Sequence, residues 1–479
     1  MNRRGSFVAP LIVILLGLMF LLRNFWPAIP VGDIVAKYWP FLLIAWGGLR
    51  LLEILSSAMM RRPLPRNGIS GGEWVLIVFL FIFFSGFHAV QRRHWFPDER
   101  AFRGFVVNMG ENYDYGLNPV EKPSGKTPRI VIESFRGNAR IMGADVDTVK
   151  VTGRKSIRSF QQAEADKANT NTPLELVAQG NDMIVRTNQD RVTDTLRVSN
   201  DLEITVPRGS SVQAHGRLGD FDITDISGSV DINSDNAGVR MQNIGGDVRV
   251  EVSKSDIVRA SDLKGSLELK GHGNDVDFQN IAGQVTITGG FLGQLQFRNL
   301  AKPLRYEGDR VQFNVERLPG QIHTGPGEFT ASNLVGPIRL SASSRDVQIS
   351  DFTQSLDLNL DRGDIDLRPG TGTPAPKMDV RTRSGDIDLA LPPTGKYDLK
   401  LTTDRGTAEN EYGTPFTLEE TDRGGTVNGT AGAGPQMRLE TSRGKVSVRK
   451  STGEGGEENV RVIPQPSKPP AAPLKPQEQ

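Results

Sequence analysis

The 479-residue chain contains no cysteine. That absence excludes disulfides, thiolate zinc or iron–sulfur centres, cysteine nucleophiles and a lipid-modified cysteine anchor together. Histidine is scarce: His88, His94, His215, His272 and His323 are the five, and none stands at ligand spacing from another, so no zinc site is expected. Excess charge is missing too, since 57 basic residues against 56 acidic leave a formal +1, and no nucleic-acid partner is expected. No phosphate loop, dinucleotide fingerprint, Gly-x-Ser-x-Gly elbow or metalloprotease motif is present. No residue is therefore assigned a catalytic, cofactor-binding or metal-ligating role, and no enzyme activity is expected. Long apolar runs are lacking beyond residue 90.

Before residue 90 they dominate. Fourteen of the 16 residues from 7 to 22 are apolar, and a span over 5–22 reaches about 27 Å at 1.5 Å per residue, enough to cross hydrocarbon. No small-residue cleavage site follows Leu22, so the segment is expected to stay as a helix. A second span over 38–60 opens with Tyr38-Trp39 and carries Arg50 and Glu53, three apart on one helix face, where they pair and snorkel to the headgroups. A third span covers 74–90, its first 11 residues all apolar. Arg3, Arg4, Arg61, Arg62 and Arg66 on one side outnumber Arg23, Lys37, Arg92 and Arg93 on the other. That bias puts the N-terminus in the cytoplasm and the C-terminal portion outside it. Residues 91–128, with Pro97, Pro119, Pro123 and Pro128, are expected to be a juxtamembrane linker. Residues 451–479 turn Gly-, Glu- and then Pro-rich and are expected to be a disordered tail.

Between these flanks the sequence repeats. An apolar anchor recurs at Ile226, Ile244, Leu263, Ile281, Leu300, Leu318, Leu334 and Phe352, spaced 18, 19, 18, 19, 18, 16 and 18 apart, with Gly two residues after the first four. Each anchor carries much the same local pattern, with apolar residues five and three before it and four and six after it, as Phe221, Ile223, Val230 and Ile232 stand around Ile226. Period-two alternation marks a strand with one buried face, so each copy is two short strands turned at the Gly. One such coil cannot bury its face alone. Coils must stack with equivalent strands about 4.8 Å apart, which predicts an all-β parallel β-solenoid over 220–450. The residue before the anchor is Asp or Asn in seven of eight copies, Arg317 being the exception. Short polar side chains there are expected to cap turn N–H groups and stack from coil to coil; the nonapeptide calcium pattern is absent.

Past residue 355, Gly363, Gly385, Gly406, Gly424 and Gly444 follow at 22, 21, 18 and 20, each with an Arg one or two positions earlier. Arg362-Gly363-Asp364 therefore reads as one frame of a recurring turn rather than a cell-binding triplet. Alternating stretches at 129–142, 146–151, 174–177, 183–185 and 196–207, with one helix near 159–168, make 129–219 the N-terminal β part and cap of the solenoid.

Two resemblances follow from particular residues. Residues 5–53, with Pro-Leu-Ile-Val-Ile-Leu-Leu-Gly-Leu and Tyr-Trp-Pro-Phe-Leu-Leu-Ile-Ala-Trp-Gly-Gly, resemble the LiaI/LiaF-like transmembrane region of bacterial envelope-stress proteins. Residues 130–448, with Leu-Glu-Ile-Thr-Val-Pro-Arg-Gly from Leu202 and the recurrent Gly-Asp-Ile-Asp-Leu turns, resemble the bacterial putative-adhesin β-solenoid family. The resemblances imply a bacterial envelope protein; the three apolar spans joined to stacked coils with no catalytic constellation make the expectation an inner-membrane protein holding a non-catalytic β-solenoid outside the cytoplasm, as an adhesin or an envelope-stress sensing scaffold. Its expected partners are membrane lipid and an envelope polymer or a membrane protein. Two other classes stand beside this one. Outward carboxylates such as Asp364 with Asp366 and Asp386 with Asp388 would line the groove of a polysaccharide-cleaving β-helix enzyme, and the spans would serve a regulatory partner of a sensor kinase.

Overall fold

The computed structural model describes residues 110–192, 196–371 and 375–451. The three expected spans, the start of the expected linker and the expected tail from residue 452 lie outside the described residues. Among those described, no helix is long and apolar enough to cross a membrane. The described residues are almost entirely strand: among them, thirty strands join in one hydrogen-bonded network, beside one helix, α1 (Gln162–Asn171), and one short 3-10 turn.

The 18-residue repeat is one coil of a solenoid. Phe221–Ile226 and Val230–Asn236 form its two sides. The next coil repeats them at Val239–Ile244 and at the start of Val248–Leu263, parallel and in register, with Phe221 beside Val239 and Val230 beside Val248. The anchors stack in the same way: Ile226 on Ile244, Ile244 on Leu263, Leu263 on Ile281 and Ile281 on Leu300. Every second side chain points inward, so Phe221, Ile223, Ile226, Val230 and Ile232 are all buried. Stacking merges these into a single core that runs from Ile130 to Val448.

The expected all-parallel winding fails at the middle. Leu304–Glu307 turns back through Gly308-Asp309-Arg310 into Val311–Thr324, which runs antiparallel to both strands below it, with Leu304 beside Val315 and Leu295 beside Thr324. A second tight turn at Gly325-Pro326-Gly327 leads into Glu328–Ser344, again antiparallel, after which parallel winding resumes with Phe329 beside Val347. One coil is thus wound backwards between two hairpins. The spacing of 16 and the Arg at 317 both fall on this coil. The hydrophobic alternation hides the reversal, because a strand buries the same alternate positions whichever way it runs.

Stack order also departs from chain order at both ends. Arg129–Arg136 lies between Asp182–Arg186 and Ser211–Leu218, and Ala139–Ala144 lies between Arg197–Pro207 and Phe221–Ile226. At the other end Gln436–Thr441 and Val446–Lys450 slide between the coil of Met378–Ser384 and Ile387–Leu391 and the coil of Tyr397–Thr403 and Ala408–Asn410. The chain's first and last coils are each the second rung in from an end. Antiparallel strands close those ends: Glu175–Gln179 and Thr148–Ser159 at one, Gly425–Ala431 and Thr417–Glu420 at the other. Part of the expected linker belongs to this closure. Glu111–Gly116 and Val120–Pro123 pair antiparallel with Thr148–Ser159. Their polar composition concealed them, since only Tyr113 and Tyr115 reach the satellite cluster of Ile157, Ala165, Ala168 and Val198.

Candidate binding surface

The corners come first, because they fix what the faces present. Asp225, Asn243, Asp262, Asn280, Asn299, Asn333 and Asp351, the residues before the anchors, all have φ between 51° and 59°. Among side-chain-bearing residues Asn and Asp enter this left-handed region most readily, which selects them here. Arg317, in the reversed coil, is not among them. The stacking expectation holds: Asn243 donates through Nδ2 to Asp225 Oδ1 at 2.6 Å, Asn280 to Asp262 at 2.9 Å and Asn299 to Asn280 at 2.8 Å. The turn N–H groups are taken by a different set of carboxylates, each one residue before a buried apolar side chain. Asp220 accepts from Gly238 N–H, Asp247 from Ser266, Asp275 from Gln294, Asp346 from Asp364 and Asp364 from Asp386.

Arg362-Gly363-Asp364 is a piece of this second corner. Gly363 has φ 133°, and a Cβ there would overlap the carbonyl oxygen of Arg345 in the coil below. The same overlap binds Gly385 to Gly363, Gly444 to Gly385 and Gly406 to Gly444. These glycines therefore stack in the order 363, 385, 444, 406, and Gly424 falls outside the column, beside Thr403 and Asp404.

Two ranks of outward side chains run the length of each face. At the N-terminal end of one face they bound a furrow of about 720 Å³. Its floor is set by small or buried residues, Gly153, Leu202 and Ala139. One rail is a continuous hydrogen-bonded chain: Arg154 Nε donates to Asp201 at 3.0 Å, Asn138 Nδ2 to Asp201 at 2.9 Å, Asp220 N–H to Asn138 Oδ1 at 3.0 Å, and Gly238 N–H to Asp220 Oδ1 at 3.0 Å. The other rail is Thr152, Glu203, Arg140, Asp222 and Arg240, adjacent by strand register. Here Arg140 pairs with Asp222 at 3.4 Å, and Arg240 crosses to Asp220 at 3.1 Å. All three guanidiniums are thus neutralised by carboxylates of the furrow itself. The exposed Glu203 carboxylate alone has no partner among the described residues. A smaller furrow of about 480 Å³ on the other face runs along Asp231, Arg249, Glu268 and Thr286.

Expected outward acids fall into structural pairs. Asp366 is held by Arg368 at 2.7 Å and Asp388 by Arg449 at 3.1 Å, while Asp364 and Asp386 accept backbone N–H groups. Of the histidines, His323 Nε2 lies 3.3 Å from Glu328 and His215 Nε2 lies 3.2 Å from Gln213 Nε2. Among the described residues no three His, Asp or Glu side chains gather as a metal would require.

Two buried cations escaped the sequence. Lys155 is 2% exposed and its ammonium donates to Asn169 O at 3.2 Å, Asn169 Oδ1 at 3.1 Å and Thr172 O, closing the C-terminal end of α1. Burial pulls its pKa down to about 8. Its signal was the inward phase of Val149, Val151, Lys155 and Ile157, where an apolar residue belongs. Arg345 stands where the next coils have Gly363 and Gly385. It reaches back to Thr324 Oγ1 at 2.9 Å and Glu328 O at 3.3 Å, tying down the second hairpin.

Comparison with known proteins adds three findings. No curated protein matches the chain. A crystal structure of a "putative cell adhesion protein" from Clostridium sporogenes is similar over 70% of this chain and 100% of that one, at 9% identity and a TM-score of 0.17. The model of the Toastrack DUF4097 family matches residues 127–449, which hold nearly all of the coils but not the closing strands Glu111–Gly116 and Val120–Pro123, and the chain belongs to that family.

Proposed function

We propose that the chain is a bacterial inner-membrane protein that presents a rigid, non-catalytic β-solenoid outside the cytoplasm as a binding surface, for adhesion or envelope-stress sensing. Support for the anchor comes from the three apolar runs at 5–22, 38–60 and 74–90, from the flanking positive charges and from the LiaI/LiaF-like pattern of residues 5–53. The observation that carries the binding role is the continuous core from Ile130 to Val448, which holds outward side chains at fixed rung spacing. A backbone so ordered meets an extended partner without having to be ordered on binding. Asp364, Asp386 and Asp388 bond to the neighbouring coil and Asp366 to Arg368 of its own strand, so these outward acids are engaged structurally, which favours a scaffold over the glycan-cleaving alternative.

Protease treatment of intact spheroplasts tests the placement: cleavage after Arg129 is expected, and full protection overturns it. Sedimentation of the purified full chain with envelope fractions tests the binding role. Retention is expected, and a chain that stays in the supernatant overturns it.

A further inference from the structure

The furrow over Gly153, Leu202 and Ala139 has an unusual electrostatic character. Its arginines are saturated by its own aspartates, through Arg154–Asp201 at 3.0 Å, Arg140–Asp222 at 3.4 Å and Arg240–Asp220 at 3.1 Å. An anionic ligand would have to break such a pair to reach a guanidinium, and each broken pair leaves a charge without its partner. A hydroxyl group does not. It accepts from a guanidinium and donates to the neighbouring carboxylate at once, leaving the pair intact. The rails repeat these donor and acceptor groups once per rung, about every 4.8 Å along the axis. Glu203, unpartnered and exposed between Thr152 and Arg140, adds a free acceptor for an N–H or O–H donor.

We propose that this furrow binds a short linear, uncharged, hydroxyl- and amide-bearing glycan lying along the solenoid axis. The proposal rests on the binding-surface function above and names the chemistry of its ligand. The furrow is the site rather than the smaller one on the opposite face, because its first rail is locked by an unbroken hydrogen-bond chain from Arg154 to Gly238. Preorganised groups lose little entropy on binding.

The test is calorimetric titration of the full chain with a β-1,4-linked N-acetylglucosamine tetramer, beside an oligogalacturonate and a neutral extended peptide. Binding of the neutral tetramer is expected, changing less than about twofold in Kd between about 50 mM and about 500 mM salt, since no net charge is neutralised. Thr152→Trp, which fills the furrow from an outward position, and Glu203→Ala are each expected to weaken it at least about tenfold. Thr286→Trp on the other face leaves it unchanged. Circular dichroism confirms that the variants keep their strands. Preference for the oligogalacturonate with a steep salt dependence, or for the peptide, overturns the neutral-glycan chemistry. Tetramer binding that survives Thr152→Trp overturns the furrow while the binding-surface function stands. A full chain that binds none of the three yet sediments with envelopes overturns the proposal alone; failure in both assays removes the function as well.

Discussion

Single residues carry the corner geometry, and their roles separate cleanly by what a Cβ would meet. Gly385 has φ 147° and a Cβ there overlaps the Gly363 carbonyl, whereas Gly125 has φ 73° with open space around it. Gly385→Ala is expected to destabilise by about 3 kcal/mol and Gly125→Ala by about 1 kcal/mol, because the second meets left-handed strain alone. Urea midpoints of the two variants check the contrast. Lys155 gives a pH dependence of definite sign. Its folded pKa of about 8 lies below the ordinary lysine value of 10.5. Between those two values the unfolded chain holds a proton that the folded chain has released, so stability rises with pH across this window. The rise is at most about 3 kcal/mol, and it vanishes below about pH 8, where both states are protonated. Urea titrations from about pH 7.5 to about pH 10 are expected to show the slope in the native chain and its loss in Lys155→Met.

At the scale of the element, the coils from Asp225 to Asn299 share an Asx ladder at their turn. Asn280 combines a φ of 55° with a hydrogen bond down to Asp262 and another from Asn299 above. Asn280→Ala is expected to cost about 1–2 kcal/mol and Asn280→Gly less, because glycine restores the left-handed conformation without the hydrogen bonds. Denaturant unfolding distinguishes the two. No two aspartates are neighbours in the stacked series Asp225, Asn243, Asp262, Asn280, Asn299, which spares it like charges one rung apart. Much of this was legible in the sequence: the strand positions, the helix near 159–168, the anchors and the structural character of Arg362-Gly363-Asp364. The direction of the coil at 311–324 was not, since alternation carries no sense of direction.

At the scale of the whole molecule, the last coil is an internal rung. Deleting residues 436–451 removes the partner of Met378–Ser384 and of Tyr397–Thr403 together. A solenoid stacked in chain order would fray only at its final rung. Here amide exchange is expected to lose protection throughout Tyr397–Thr403 and Ala408–Asn410 as well. Retained protection in those two strands would show that they stand without the inserted coil. The first coil is placed in the same manner between Asp182–Arg186 and Ser211–Leu218, so each end is fastened by a strand from elsewhere in the chain.

The sequence by itself determined the period, the buried positions and the residue types at each corner. All of these are local consequences of alternation and of φ preferences, readable within one or two coils. It also determined the absence of cysteine and of any recognisable catalytic motif. Tertiary structure alone decided which way a coil runs, which rung lies on which, and where Arg154, Asp201, Asn138 and Asp220 meet to form a rail. Those four come from four separate strands or strand edges brought together when the first coil inserts out of order. Such contacts depend on long-range strand pairing, for which every buried rung offers nearly the same apolar edge, and so one-dimensional pattern could not distinguish among the alternatives.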